Sequence, residues 1–226
     1  MRAAAVIVAG GSGTRLGGPV RKQYLRIGDE PVLLRAVRPF LAHPRISSVV
    51  VVLPADDVAD PPEWLAGLPI RIVAGGAERA DSVLAGLRAV EEDIDRVLVH
   101  DGARPFVSTG VIERVLDAEG GAIAAVPVTD TIQQVDADGV IVHTPDRSTL
   151  WQAQTPQGFP RAAILEAYRR AAEDGVAATD DAAIYARYAG PVRVVMGAYE
   201  NLKVTRPADL PIAEVIAKGL TQSQQS

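Results

Sequence analysis

The sequence predicts an α/β fold: a Rossmann-like, mostly parallel sheet flanked by helices, with a projecting β-hairpin arm. Three observations point there. Short continuous apolar runs alternate with segments whose apolar residues recur at helical spacing. Most of those runs lead into glycine or a polar turn, and the alternation breaks once, at a hairpin pattern. A chain of 226 residues, 48% apolar but only 4% aromatic, suits one such domain, with small aliphatic side chains packing helices onto a sheet.

Residues 3–9 (Ala-Ala-Ala-Val-Ile-Val-Ala) are apolar without a break and closed by glycines, as a parallel strand covered on both faces requires. In residues 31–42, Val32, Leu33, Ala36, Val37, Phe40 and Leu41 fall on one helical face. A second buried strand is expected at 48–53, and the proline-rich stretch 56–67 reads as a loop with a short helix. Strands at 69–73 and 96–100 bracket a helix at 81–91, and a helix at 109–117 leads to a fifth strand at 122–126. After Pro127 the rhythm breaks. Segments 131–135 and 140–143 flank Asp136-Ala137-Asp138-Gly139, a hairpin turning at Asp138-Gly139. Helices at 160–173 and 180–188, a strand at 192–196 and a helix at 208–218 complete a single domain of residues 1–220, its arm at about 129–150. The polar end, 221–226, reads as a disordered tail. A lone two-stranded ribbon is marginal in water, so the arm needs a surface to pack on, and a second subunit is the simplest.

Net charge is −5, which argues against a general nucleic-acid or membrane surface, so an anionic ligand must be held by a local cluster of cations. Cysteine is absent, which excludes disulfides, thiolate zinc sites and cysteine nucleophiles. No signal segment opens the chain and no apolar run reaches transmembrane length, so a soluble cytoplasmic protein is expected.

The first strand runs into Ala9-Gly10-Gly11-Ser12-Gly13-Thr14-Arg15-Leu16, then Arg21-Lys22-Gln23-Tyr24. Glycines let the backbone approach a ligand and present several N–H groups together. The dinucleotide fingerprint fails, because its sixth position counted from Gly11 is Leu16; no register supplies the Gly-Lys-Ser/Thr of a P-loop. What remains is Gly-Gly-x-Gly-x-Arg with a lysine seven residues beyond Arg15, an arrangement suited to a triphosphate. It resembles the signature of nucleotidyltransferases; the alternative is a glycine turn ending an ordinary strand. Of 23 basic residues only Lys22, Lys203 and Lys218 are lysine, and two of them lie in motif-like contexts. A compact ammonium serves a transferring phosphate as a point charge.

Four further segments are unusually polar for their positions. They are Gly75-Gly76-Ala77-Glu78-Arg79-Ala80-Asp81-Ser82, His100-Asp101-Gly102-Ala103-Arg104-Pro105, the stretch from Thr144-Pro145-Asp146-Arg147 to Gln154-Thr155-Pro156-Gln157-Gly158-Phe159, and Asn201-Leu202-Lys203-Val204-Thr205-Arg206-Pro207. In this order, over residues 1 to about 215, the motifs resemble the 2-C-methyl-D-erythritol 4-phosphate cytidylyltransferase family of the non-mevalonate isoprenoid pathway.

The resemblance implies transfer of CMP from CTP to methylerythritol phosphate, with Mg²⁺, by a homodimer whose β-arms reach the neighbouring site. Two anions must react, so positioning and electrostatic stabilisation should dominate and no protein nucleophile is needed. By resemblance Arg15, Lys22 and Lys203 stabilise the reacting phosphates. Asp101 is the candidate to hold Mg²⁺, since a hard cation wants carboxylate oxygen. The nucleotide falls to the Ala9, Gly10, Gly11 and Gly13 loop, to Gly76 and to Ser82, whose alternative is helix capping. Resemblance assigns Arg104, Thr131, Arg147, Thr155 and Lys203 to the acceptor, with Thr131 and Arg147 contributed across the dimer; the alternative for Arg147 is a surface ion pair with Asp146.

His100 is expected to end a buried strand, His43 and His143 to be loop and strand residues, and Trp151 to pack in the core or a dimer. Asp180 and Asp181 are either a second metal site or an N-cap pair. Ala77 and Gly102 depart from the residues common in the family, and neither removes a charge the mechanism needs. The rival readings are the same chemistry on another polyol phosphate, such as ribitol 5-phosphate, and a non-catalytic nucleotide-binding module.

Overall fold

A computed structural model of the chain describes residues 1–11, 21–176 and 180–223. Its centre is β1 (Ala3–Val8), whose Ala3 to Ile7 have no solvent exposure. Alternate side chains of β1 serve two cores, as the period of two in a strand demands. Ala3, Ala5 and Ile7 join Val37 and Phe40 of α1 (Val32–Leu41) and Val111, Ile112 and Val115 of α3 (Thr109–Asp117). Ala4 and Val6 face the other way. They meet Val83 and Leu87 of α2 (Arg79–Arg88), Ile164 and Tyr168 of α4 (Arg161–Glu173) and Ile184 of α5 (Asp181–Tyr188). An unbroken apolar run is therefore what this strand needs. Each Val or Ile it buries contributes about 1.5–3 kcal/mol.

On one side of β1 lie β4 (Ile46–Leu53) and then β5 (Arg71–Ala74), both parallel to it. On the other lies β6 (Arg96–Asp101), also parallel, followed by β10 (Trp151–Pro160), β7 (Gly121–Pro127) and β11 (Val192–Met196). The seven-stranded order is β11-β7-β10-β6-β1-β4-β5, with only β10 antiparallel to its neighbours. Among the described residues no helix is long and apolar enough to cross a membrane.

The structure departs from the sequence reading in several places. β10 is one that the pattern does not predict. Its sequence, Trp-Gln-Ala-Gln-Thr-Pro-Gln-Gly-Phe-Pro, carries prolines and glutamines that suggest a loop. Pro156 is accommodated because the pairing with β7 shifts between Ala153 and Gln157, where a missing N–H costs no ladder bond. Also outside the sequence reading are a 3-10 turn at Lys22–Tyr24 and the small ribbon β2 (Arg26–Ile27) with β3 (Glu30–Pro31). The last helix, α6 (Asp209–Ser223), runs into the stretch read as a disordered tail; residues 224–226 lie outside the described residues. It anchors through a separate cluster in which Ala213 and Ala217 meet Ile27, Phe106 and Val204. His43 lies in the loop between α1 and β4, as expected, and is buried there, whereas Trp151 is 41% exposed, so of its two readings core packing does not hold.

The arm takes the expected form. β8 (Gln134–Val135) pairs antiparallel with β9 (Ile141–His143), and the turn closes with Gly139 at φ +81° and the Asp136 carboxylate accepting from Asp138 N–H and Val140 N–H. Residues 129–144 are all exposed, so among the described residues the ribbon finds no cover in its own protomer.

Candidate active site

The sheet order reverses at β1, since the chain builds β4 and β5 to one side and β6 to the other. A parallel sheet leaves its binding crevice at the carboxyl ends of the strands at such a point. A pocket opens there, between Ala9, Gly10 and Gly11 beyond β1, Asp101 at the end of β6, Gly76 beyond β5 and the first turn of α2. Lys22 and Lys203 line it too, brought from opposite ends of the chain.

The glycine loop is braced by a residue the sequence reading does not single out. The Gln23 side chain, nearly fully buried, donates through Nε2 to the Ala9 carbonyl at 2.9 Å and the Gly11 carbonyl at 3.4 Å. Ser82 is not a helix cap: it sits one turn inside α2, and the capping box is Glu78 with Asp81. Its hydroxyl instead accepts from Gly76 N–H and donates to the Glu78 carbonyl, both at 3.2 Å, fixing the loop beyond β5 against α2. A Cβ on Gly76 would come within 2.3 Å of the Asp81 Cβ, so the close approach of this loop to α2 needs glycine.

Asp101 is the electrostatic hub. Its Oδ2 meets Lys203 Nζ at 2.6 Å, and its Oδ1 accepts from Arg79 Nε and Nη2 at 3.3 Å. Burial alone would raise its pKa, but Arg79 and Lys203 outweigh that and hold the carboxyl well below the usual range. Arg79 in turn grips the fully buried Asp181 through two 2.9 Å bonds, and Tyr168 donates its hydroxyl to the same carboxylate. Of the acidic pair at the start of α5, Asp180 is the N-cap, accepting from Ala183 N–H at 2.9 Å, while Asp181 belongs to this ion network. The N-cap reading therefore holds for Asp180 alone, and among the described residues no group of three or more His, Cys, Asp or Glu side chains placed to hold a metal ion is found.

Beneath Asp101 runs a directed hydrogen-bond chain. His100 Nε2 lies 3.0 Å from the Arg104 carbonyl, which can only accept, so Nε2 carries the proton. Nδ1 then accepts from the Thr155 hydroxyl at 3.0 Å, and that oxygen accepts from Asp101 N–H at 3.0 Å. Burial pushes the His100 pKa down to about 4, which keeps the chain in this single arrangement. Thr155 thus holds the backbone at Asp101 with a hydroxyl already engaged. Arg104 donates to the carbonyls of Asn201 (2.8 Å) and Ala153 (3.3 Å), and Asn201, fully buried, donates to Thr155 O (2.8 Å) and Gln154 Oε1 (3.2 Å). These bonds fasten the Lys203 segment to β10. Gln154, Asn201 and Arg79 stand in the sequence as polar residues of motif-like runs and Asp181 as half of an acidic pair, but only their contacts reveal what they do.

Of the residues singled out from sequence, Ala9, Gly10, Gly11, Lys22, Gly76, Ser82, Asp101 and Lys203 converge on the pocket. Arg104 and Thr155 stand behind Asp101. Thr131 and Arg147 lie on the exposed arm and do not line the pocket of their own protomer; Arg147 donates to the Thr129 carbonyl at 2.7 Å, while Asp146 accepts from Ser148 N–H. Gly13 and Arg15 lie outside the described residues. Gly102 packs so closely that an added Cβ would meet Leu33 Cδ1 at 2.8 Å and Ala9 Cβ at 3.0 Å, so alanine here would require both neighbours to shift.

A family model described as 2-C-methyl-D-erythritol 4-phosphate cytidylyltransferase matches residues 3–219. The protein of that name from Symbiobacterium thermophilum is 46% identical over 216 residues, covering 93% of this chain and 91% of its own. The crystal structure of the Thermus thermophilus protein of that name superposes with a TM-score of 0.80 at 34% identity, covering 96% of this chain and 100% of the other. The 4-diphosphocytidyl-2C-methyl-D-erythritol synthase of Anaerococcus prevotii gives a TM-score of 0.86 at 28% identity over 96% of each chain.

Proposed function

Since this chain belongs to the 2-C-methyl-D-erythritol 4-phosphate cytidylyltransferase family, whose reaction is transfer of CMP from CTP to that alcohol phosphate, we propose how its residues divide the work. The acceptor phosphate attacks the α-phosphorus of CTP in line, and pyrophosphate leaves. The barrier is charge repulsion between two anions plus charge building on the α-phosphoryl oxygens, so fixed cations and close placement supply the catalysis.

Lys22 and Lys203 carry that charge, with Arg15 joining them. The observation that supports this reading is the meeting of Lys22, Lys203 and Asp101 in one pocket at the carboxyl ends of β1 and β6. Ala9, Gly10, Gly11 and Gly13 cradle the nucleotide through backbone groups, with Gly76 and Ser82 on its base and ribose side. Arg104 and Thr155 orient the Asp101 face of the acceptor site.

Of the two carboxylates that line the pocket, Glu78 and Asp101, Asp101 would hold a divalent cation beside the phosphates, its oxygens shared with the Lys203 and Arg79 groups that meet them here. When bound, Mg²⁺ neutralises phosphate charge. Thr131 and Arg147 reach the acceptor phosphate of a second copy's site. This explains an arm that carries Val135, Val140, Ile141 and Val142 at 50–59% exposure: in a homodimer those side chains find cover.

Pyrophosphate release with CTP and Mg²⁺, offering methylerythritol 4-phosphate and ribitol 5-phosphate in parallel, tests the assignment. Turnover is expected with the first, and Lys22→Ala should lower it by about 10²- to 10³-fold. Preference for ribitol phosphate would overturn the acceptor and keep the mechanism, whereas release unaffected by Lys22→Ala would overturn the electrostatic role.

A further inference from the structure

Asp181 is a fully buried carboxylate, remote in sequence from the pocket motifs, for which the transfer of CMP has no direct use. It accepts two hydrogen bonds from the Nη1–Nη2 edge of the Arg79 guanidinium and a third from Tyr168 on α4. A planar guanidinium held at two nitrogens cannot rotate. Its remaining edge, Nε with Nη2, is thereby aimed at Asp101 Oδ1, and the opposite oxygen of Asp101 holds the Lys203 ammonium. The four groups run Asp181, Arg79, Asp101, Lys203 with alternating charge and no net charge. Arg79 is at the start of α2 and Asp181 at the start of α5, so the line ties two helices to the end of β6.

We propose that Asp181 is a positioning residue for the reaction: through Arg79 it fixes the carboxylate of Asp101 and hence the place of the Lys203 ammonium. This rests on the reading of the pocket as the site of phosphate transfer. A buried carboxylate with only a scaffolding task would be served as well by a neutral, well-packed residue. The geometry asks more of Asp181, because each member of the line is oriented by the one before it.

The chain has only three lysines, so ¹⁵N-lysine labelling gives three ammonium signals, and Lys203→Arg identifies that of Lys203. Asp181→Asn and the charge-neutral pair Arg79→Gln with Asp181→Asn should each lower kcat about tenfold. The two should agree within a factor of about three, because residues acting in series are not additive. Both should move the Lys203 signal while Lys218 stays in place. Tyr168→Phe keeps every charge and should give a smaller shift of the Lys203 signal in the same direction, so it serves if the carboxylate variants do not fold. A Lys203 signal unmoved in a folded variant, or one that moves with kcat unchanged, overturns the proposal. Absence of pyrophosphate release from the unaltered enzyme would count against the functional reading instead, and the Lys203 signal would then decide the coupling alone.

Discussion

His100 shows how a single side chain ties burial to function and to pH. Its ring is buried against Phe40, 5.0 Å between centroids, and is neutral because both nitrogens are committed, one donating and one accepting. Burial is the main cause of its depressed pKa, about 4 against an ordinary 6.5. A base whose folded pKa lies below its unfolded one leaves stability intact above 6.5 and subtracts from it as pH falls towards 4, since only the unfolded chain then binds the proton. The full loss is on the order of 3 kcal/mol. His43, lowered mainly by its own burial, acts in the same direction. Asp101, held down by Arg79 and Lys203 against its burial, adds a further loss only below about pH 4, the unfolded carboxylate range. Urea unfolding midpoints should therefore fall between pH 7 and pH 4.5, and His100→Gln should flatten that slope. A midpoint constant over the range would show that His100 titrates normally in the folded protein.

At the level of elements, the sequence makes the helices and most strands legible because each buries a face with the right period. The strand at 192–196 and the helix at 109–117 match to the residue. β10 escapes because its strand character comes from its place between β6 and β7 rather than from its own residues: Gln154 and Gln157 are buried polar groups whose partners, Ala198, Asn201 and Ala182, lie in other segments. The pocket is legible where chemistry sits on glycine loops and lysines. It is not legible where a charge is useful only through a partner distant in sequence, as with Arg79 and Asp181. α2 gives a direct test of packing over propensity. Gly86→Ala should gain about 1 kcal/mol as a helix residue. The new Cβ would, however, stand 2.4 Å from Val6 Cγ1 and 2.9 Å from Val52 Cγ2, on β1 and β4, and overpacking of that kind costs about 1–3 kcal/mol. The packing loss should win, so thermal unfolding of Gly86→Ala should occur below that of the unaltered protein; a rise would mean the sheet yields freely at that contact.

At the scale of the whole molecule, the pocket and the arm stand apart in one protomer. Lys22, Asp101 and Lys203 line the pocket, while Arg147 and Thr131 stand on a ribbon exposed on all sides. The proposed two-fold dimer would let each copy supply what the other lacks, and mixing tests it. Lys22→Ala disables a pocket but leaves its own arm intact; Arg147→Ala disables an arm but leaves its pocket intact. In a mixed dimer one site then carries both changes and the other carries neither. Random reassortment of equal amounts makes half of all dimers mixed, and each has one working site of two. Two preparations that are each nearly inactive should therefore recover about a quarter of full activity once exchanged, by the arithmetic of a two-fold dimer. If the arm served only its own protomer, every site would contain one of the two changes, and mixing would recover nothing. Since the arm buries no core side chains, Ile141→Asp should leave the folded protomer within about 0.5 kcal/mol of its original stability. The same change should weaken association, so the recovered activity should vanish in mixtures of proteins that also carry it.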